Sequence, residues 1–242
     1  LSDNSFHTLS LDERLLMARR GTAYFAQKLA ELTDAELSGP TLLAGWSRRH
    51  LVAHVGYNAA ALCRLMDWAA TGQETPMYES TEQRGREIEE GATLSAAALR
   101  NLFDHTVARL DQKWRHLPEA AWSAEVRTAQ GRVVPASETC WLRTREVWIH
   151  AVDLDNGARF GDLPDPVLES LLDDIVGMWR KKELALGLVL QVVGRPMVAV
   201  HDDSSPQTTV TGDLAGVVRW AAGRGDIGID VVGAVTEPPR WL

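Results

Sequence analysis

Cysteine is scarce in this chain of 242 residues: there are two, Cys63 and Cys140, and neither has a Cys-x-x-Cys partner. Two thiols cannot supply the disulfide framework of a small secreted domain, and two separate buried thiols are the simplest expectation. No apolar run is long enough to span a bilayer, and the chain does not open with the basic-then-apolar order of a secretory signal. These absences predict a cytoplasmic protein with no membrane partner. Positive charge is also in short supply, with 25 Lys and Arg against 33 Asp and Glu and a formal charge of -8. A phosphate backbone would be repelled, so no nucleic-acid partner is expected. Short basic pairs such as Arg19-Arg20 and Arg48-Arg49 read as solvated helix faces.

Apolar residues, by contrast, make up 45% of the chain, enough for one large or two small domains with real cores. Ser10, with Glu13 three residues on, has the form of a capping box. It opens a helix through Leu15, Leu16, Phe25 and Leu29 that ends before Ser38-Gly39-Pro40. Ser47 caps a second helix through Leu51, His54, Leu62 and Met66, with Gly72 as its stop. Residues 73–91 are polar and acidic, and Glu82 to Glu90 reads as a solvent-facing helix. A third amphipathic run goes from Ser95 to Trp114 before Pro118, the stretch 121–134 around Gly131 suggests a small hairpin, and a fourth helix covers Pro135 to Asn156. Four amphipathic helices with long connections predict a mainly α fold, a four-helix bundle over residues 1–157.

The pattern changes after Asn156-Gly157. A helix is expected from Pro166 to Leu190. Two strands follow, 197–201 and 207–211, joined by a turn at Asp202-Asp203-Ser204-Ser205-Pro206. A helix then runs through Leu214 to Ala221, and a final strand takes in Ile227 to Val232. This order predicts a second, smaller α+β domain over residues 158–242, joined to the bundle by a short junction.

Three polar residues interrupt the apolar stripes. Glu146 and His150 are one turn apart and share a helix face, while His54 lies in the interior of the second helix. A Glu-x-x-x-His pair is often no more than a helix-face charge pair, and His54 alone also reads as a core histidine bonded to a backbone carbonyl. Burying the carboxylate between apolar turns is nonetheless expensive without a cation or metal. Two imidazoles and one carboxylate suit Zn²⁺ best, with Fe²⁺, Co²⁺ and Ni²⁺ chemically admissible, and they leave room for water or a substrate thiol. Asp153 is placed to orient His150 or to be an ordinary exposed acid. Trp46, Trp148 and Trp220 are expected to pack against helices. Neither cysteine has an activating neighbour in sequence, so any thiol chemistry would need an external thiol.

Gly45-Trp46-Ser47 and Ala53-His54-Val55-Gly56, followed by Arg145-Glu146-x-x-x-His150-x-x-Asp153, resemble the DinB-like metalloprotein superfamily, and within it the mycothiol-dependent maleylpyruvate isomerase branch. Bundles of that superfamily often use a histidine on the second helix and a His-x-x-x-His pair on the last. Glu146 takes the first place of that pair here, a departure shared with the isomerase branch. Val210-Thr-Gly-Asp213 and Val218-Arg-Trp-Ala-Ala-Gly-Arg-Gly225 resemble the branch's small α+β domain. The resemblance implies a DinB-like bundle with His54, Glu146 and His150 as ligands of Zn²⁺ or another divalent transition metal, and mycothiol as cosubstrate. It also implies a dicarboxylate substrate, maleylpyruvate, isomerised from cis to trans; separately, a monomer is expected. Arg224, flanked by glycines, becomes the catalytic candidate that approaches a substrate carboxylate. A helix-terminal arginine bonded to backbone carbonyls is the plainer alternative. Two further readings share the metal site: a mycothiol- or bacillithiol-dependent S-transferase, and a zinc-binding interaction or stress-response module without turnover.

Overall fold

The computed structural model describes residues 5–201 and 205–241. The Asp202-Asp203-Ser204 part of the expected turn lies outside them. The chain divides into two compact units, one of Ser10–Ala158 and one that combines the residues up to Leu9 with Arg159 onward.

The first unit contains α1 (Leu11–Ala30), α2 (Arg48–Thr71), α3 (Thr81–Ala92), α4 (Ala96–His116), the strands β1 (Glu125–Arg127) and β2 (Val133–Pro135), and α5 (Thr139–Asp153). The capping box forms as expected, with Ser10 accepting from the Glu13 amide and the Glu13 carboxylate accepting from the Ser10 amide at 2.8 Å. Helix α1 stops well short of Ser38. Arg100 donates to the Leu29 carbonyl in its last turn at 2.8 Å and to the Leu32 carbonyl just beyond it at 2.6 Å. Thr33 and Glu36 then bond to each other and open a separate short turn at Glu36–Ser38. Helix α2 ends where expected, with Gly72 in the left-handed region at φ 72°.

Within this unit α1 packs on α5, and α2 packs on α4, α5 and α3. The α1–α5 approach depends on Gly21, where a Cβ would stand 2.5 Å from Nε1 of Trp148 and 2.7 Å from Val147. Leu51, Leu62 and Leu65 of α2 are completely buried, and each stabilises the bundle by about 1.5–3 kcal/mol. Helix α3 is not simply solvent-facing. It buries Ile88 and Gly91, and a Cβ on Gly91 would lie 2.7 Å from Ala53 of α2.

Arg48 and Arg49 are not idle surface charges either. Arg48 donates to the carbonyls of Leu154 (2.7 Å), Asp155 (2.9 Å) and Glu36 (3.1 Å), and Arg49 donates to the Leu94 carbonyl at 2.6 Å. The carbonyls at a helix end have no partner within the helix, and Arg48 satisfies them just beyond α5. It thereby ties the start of α2 to the end of α5.

The second unit contains α6 (Asp165–Lys181), β3 (Leu188–Val192), β4 (Val198–Ala199), β5 (Thr208–Gly212), α7 (Leu214–Ala221) and β6 (Ile229–Gly233). Its sheet has the order β4-β3-β5-β6, with β3 parallel to β5 and the other pairs antiparallel. Two expectations are corrected here. The helix drawn to Leu190 ends at Lys181, because positive φ at Glu183, Ala185 and Gly187 turns the chain and Leu188–Val192 becomes a central strand. The strands near 200 and 210 are not hairpin partners, since β3 lies between them. Trp179 of α6 and Trp220 of α7 meet edge to face in the core of this unit, ring centroids 6.4 Å apart.

Candidate metal centre

Helix α2 carries His54 between Ala53 and Val55, both fully buried, so its imidazole is presented from the core face of the bundle. Helix α5 brings Glu146 and His150 on one face, one turn apart. The Glu146 Oε2 lies 2.8 Å from His54 Nε2 and 3.2 Å from His150 Nε2. The three ligand atoms lie within 4.8 Å of one another, and the two imidazole rings meet edge to face at 5.0 Å. The structure thus assembles the three residues singled out in the sequence. Arg224 belongs to the second unit, at the end of α7 between Gly223 (φ 74°) and Gly225 (φ 93°). Its guanidinium donates to the Ala222 carbonyl, and its main-chain amide donates to that of Arg219 at 3.0 Å.

The titration behaviour of the three is unequal. Burial pushes the Glu146 carboxyl upward, but hydrogen bonds from His150 and His54 outweigh this and hold it well below the usual carboxylate range. Burial also dominates at His54 and lowers its pKa despite the neighbouring carboxylate. At His150 burial is overcome by Asp153 and Glu146, and its pKa is raised. Asp153 is completely buried, and its Oδ2 accepts from His150 Nδ1 at 2.8 Å. That bond fixes the ring and directs Nε2 toward Glu146, which is how histidine ligands are commonly oriented. A buried cation, Arg143, lies one turn before Glu146 and donates to the Val55 carbonyl (2.8 Å) and to Asn58 Oδ1 (3.0 Å). Burial lowers its pKa to about 10, which leaves it charged at neutral pH and favourable to the Glu146 anion.

Two imidazole nitrogens and a carboxylate oxygen, converging in a buried place with one ring held by a buried acid, form a donor set that fits a divalent transition metal. A proton on His150 Nε2 and a cation would compete for the same nitrogen, 3.2 Å from Glu146, so cation binding would expel any proton held there. Below the His150 pKa, which lies above 6.5, metal affinity is expected to climb about tenfold per pH unit, and to level off above it. Calorimetric titrations in buffers of different ionisation enthalpy would register the released proton. Without metal the sign for folding is opposite: the raised His150 pKa stabilises the fold below 6.5, and this contribution is lost as pH rises through the folded-state value.

Trp46 is the tryptophan that reaches the centre, its ring 5.3 Å from that of His54. It is held by a turn in which Gly45 has φ 83° and Thr41 donates to the Trp46 carbonyl at 2.9 Å. Trp148 instead packs on Tyr24 of α1, and Trp220 stays in the second unit's core. Both cysteines are buried and free, and burial pushes their thiols up to about 11 for Cys63 and about 12 for Cys140. Neither is a nucleophile at neutral pH. Arg84, missed in the sequence, also stands beside an imidazole, its Nη2 3.4 Å from His54 Nδ1, and Tyr78, likewise missed, packs against Arg84. The available signal was spacing: Arg84, Ile88 and Gly91 share the face of α3 that packs on α2.

Residues 18–155 match the family model described as the mycothiol maleylpyruvate isomerase N-terminal domain. No curated protein sequence matches the chain. Among solved structures, a mycothiol-dependent maleylpyruvate isomerase is 52% identical, with 98% of this chain and 99% of that one covered and a TM-score of 0.93. A histidine-to-alanine mutant of a protein with the same description is 51% identical over the same shares, also at 0.93. YfiT from Bacillus subtilis, noted for an unusual four-helix bundle topology, is 17% identical with a TM-score of 0.50, over 60% of this chain and 83% of its own, and shares the fold alone. The helical unit is therefore a DinB-like bundle, the second unit is a smaller α+β one, and the chain belongs to the mycothiol maleylpyruvate isomerase N-terminal domain family.

Proposed function

We propose that this chain is a mycothiol-dependent maleylpyruvate isomerase in which His54, Glu146 and His150 hold one divalent metal ion, Zn²⁺ best matching the donor set. The observation that carries this reading is the buried carboxylate shared by two imidazoles, in a chain that matches an isomerase along nearly its whole length. When bound, the metal would supply Lewis acidity, favouring the thiolate form of mycothiol and stabilising negative charge on the substrate oxygen. Thiolate addition to the conjugated double bond of maleylpyruvate converts it to a rotatable single bond. Rotation and thiol elimination then give fumarylpyruvate and return the thiol. Glu146 and the oriented His150 set the position of this chemistry, Trp46 covers one side of His54, and the inert buried cysteines leave the nucleophile to the external thiol.

Arg224 enters this reading as the catalytic residue that binds a carboxylate of the substrate. Its support is a guanidinium flanked by two glycines in left-handed conformation, at the end of a short helix. Substitution R224A is expected to leave metal content unchanged and to lower kcat/KM for maleylpyruvate by about ten- to a hundredfold, the effect of losing one charge-assisted contact. Normal kinetics would remove Arg224 from the mechanism. No helix among the described residues is long and apolar enough to cross a membrane. We place the enzyme in the cytoplasm and propose a monomer, the three candidate ligands all lying in one chain.

The test is an assay of maleylpyruvate with and without mycothiol that follows both product and free thiol. An isomerase forms the trans product only with the thiol and leaves the thiol concentration unchanged. Stoichiometric loss of thiol would identify an S-transferase, and metal binding with no turnover would identify a binding module.

A further inference from the structure

We propose that Arg84, braced by Tyr78, binds an anionic carboxylate of the substrate beside the metal centre, a role that rests on the isomerase reading for the substrate's identity but not for its charge. Arg84 lies in the first turn of α3, half-buried, with its guanidinium 5.9 Å from the centre of the Tyr78 ring and Nη2 3.4 Å from His54 Nδ1. Arg64 of α2 stands 5.7 Å from the centre of the same ring and is anchored on the Met77 carbonyl, so two guanidinium groups pack against Tyr78. Burial pushes the Tyr78 hydroxyl up to about 12, which keeps it a hydrogen-bond donor at neutral pH.

Three observations point to an anion. Arg84 has no carboxylate partner among the described residues, although its own helix carries Glu82, Glu87, Glu89 and Glu90. Its polar partners, the His54 imidazole at 3.4 Å and the Tyr78 hydroxyl, are both uncharged, so the guanidinium charge is satisfied only in part.

The contact is also incompatible with a loaded metal site. A guanidinium only donates, so against Arg84 the Nδ1 of His54 must be the bare nitrogen, with the ring hydrogen on Nε2 facing Glu146. A metal held on Nε2 would leave the ring hydrogen on Nδ1, where two donors would face each other. Arg84 would then need another acceptor.

The charges add to the same conclusion. A divalent ion, the Glu146 and Asp153 carboxylates and the Arg143 and Arg84 guanidinium groups together leave a net charge of about +2 around a buried centre, which is unfavourable until anions enter. The planar fork of Arg84, with the Tyr78 hydroxyl beside it, suits one carboxylate of a dicarboxylate bound next to the centre.

The experiment compares the zinc-loaded full chain with R84Q and R84K in three measurements: zinc affinity, calorimetric binding of maleate as a plain cis-dicarboxylate, and kcat and KM for maleylpyruvate. In R84Q, zinc is expected to bind at least as tightly as in the unaltered chain. Maleate affinity should fall by about ten- to a hundredfold, KM should rise by a similar factor, and R84K should lie between because it keeps the charge without the fork. Unchanged maleate affinity in R84Q would overturn the proposal. So would a collapse of zinc binding in both variants, which would make Arg84 a support for His54. If R84Q does not fold, R84K alone decides: full zinc binding with weakened maleate supports the role, and unaltered maleate binding defeats it. Maleate binding that depends on Arg84 in a protein without isomerase activity would sustain this inference while sinking the isomerase reading.

Discussion

Replacing His54 by alanine is expected to lower metal affinity by more than about 100-fold and to abolish isomerisation in parallel, because removing a ligand must cost more than the 10- to 100-fold typical of losing a ligand's hydrogen-bond partner. The remaining pair, Glu146 and His150, lies on a single helix and offers two donors where three are needed. The void left in α2 should cost about 1–3 kcal/mol, tolerable for a bundle with so large a buried core. Metal content by atomic emission, together with thermal unfolding of the metal-free proteins, separates the two effects. A variant that retains metal and rate would exclude His54 from the centre.

Asp153 acts one step back from the metal, and D153N is expected to have the second largest effect. The buried carboxylate fixes His150 through a 2.8 Å bond and is the foremost partner raising its pKa. With asparagine there, the ring loses the charged acceptor that directs Nε2, and metal affinity should fall by about 10- to 100-fold. The pH dependence should change as well. A lower His150 pKa means the proton leaves earlier, so the rise of metal affinity should level off at lower pH than in the unaltered chain. Weakened affinity with an unshifted pH profile would show that Asp153 supports the fold without tuning the imidazole.

The metal centre was legible in the sequence because helical periodicity is a local property. Glu146 and His150 share a face by spacing alone, and the apolar residues around His54 required it to point inward. That His54 and Glu146 would lie 2.8 Å apart was not legible, since α2 and α5 are separated by more than 60 residues and only packing brings them together. The resemblance to a known family supplied that link. The errors have a common physical origin. Leu188-Val189-Leu190 is a short continuous apolar run, which periodicity cannot assign to helix or strand, and backbone turning at Glu183 and Ala185, not composition, made it a strand. Arg48, Arg49 and Arg84 looked like surface charge because arginine usually is. Their roles depend on which carbonyls and rings tertiary packing places within reach.

Metal titration into stripped protein, with isomerisation of maleylpyruvate followed in the presence of mycothiol, tests most directly whether these three side chains form a working centre. The expected result is activity that rises linearly to a plateau at one metal ion per chain, with no plateau reached when His54, Glu146 or His150 is replaced. Full activity in rigorously metal-free protein, or saturable single-ion activation that survives loss of all three residues, would contradict it.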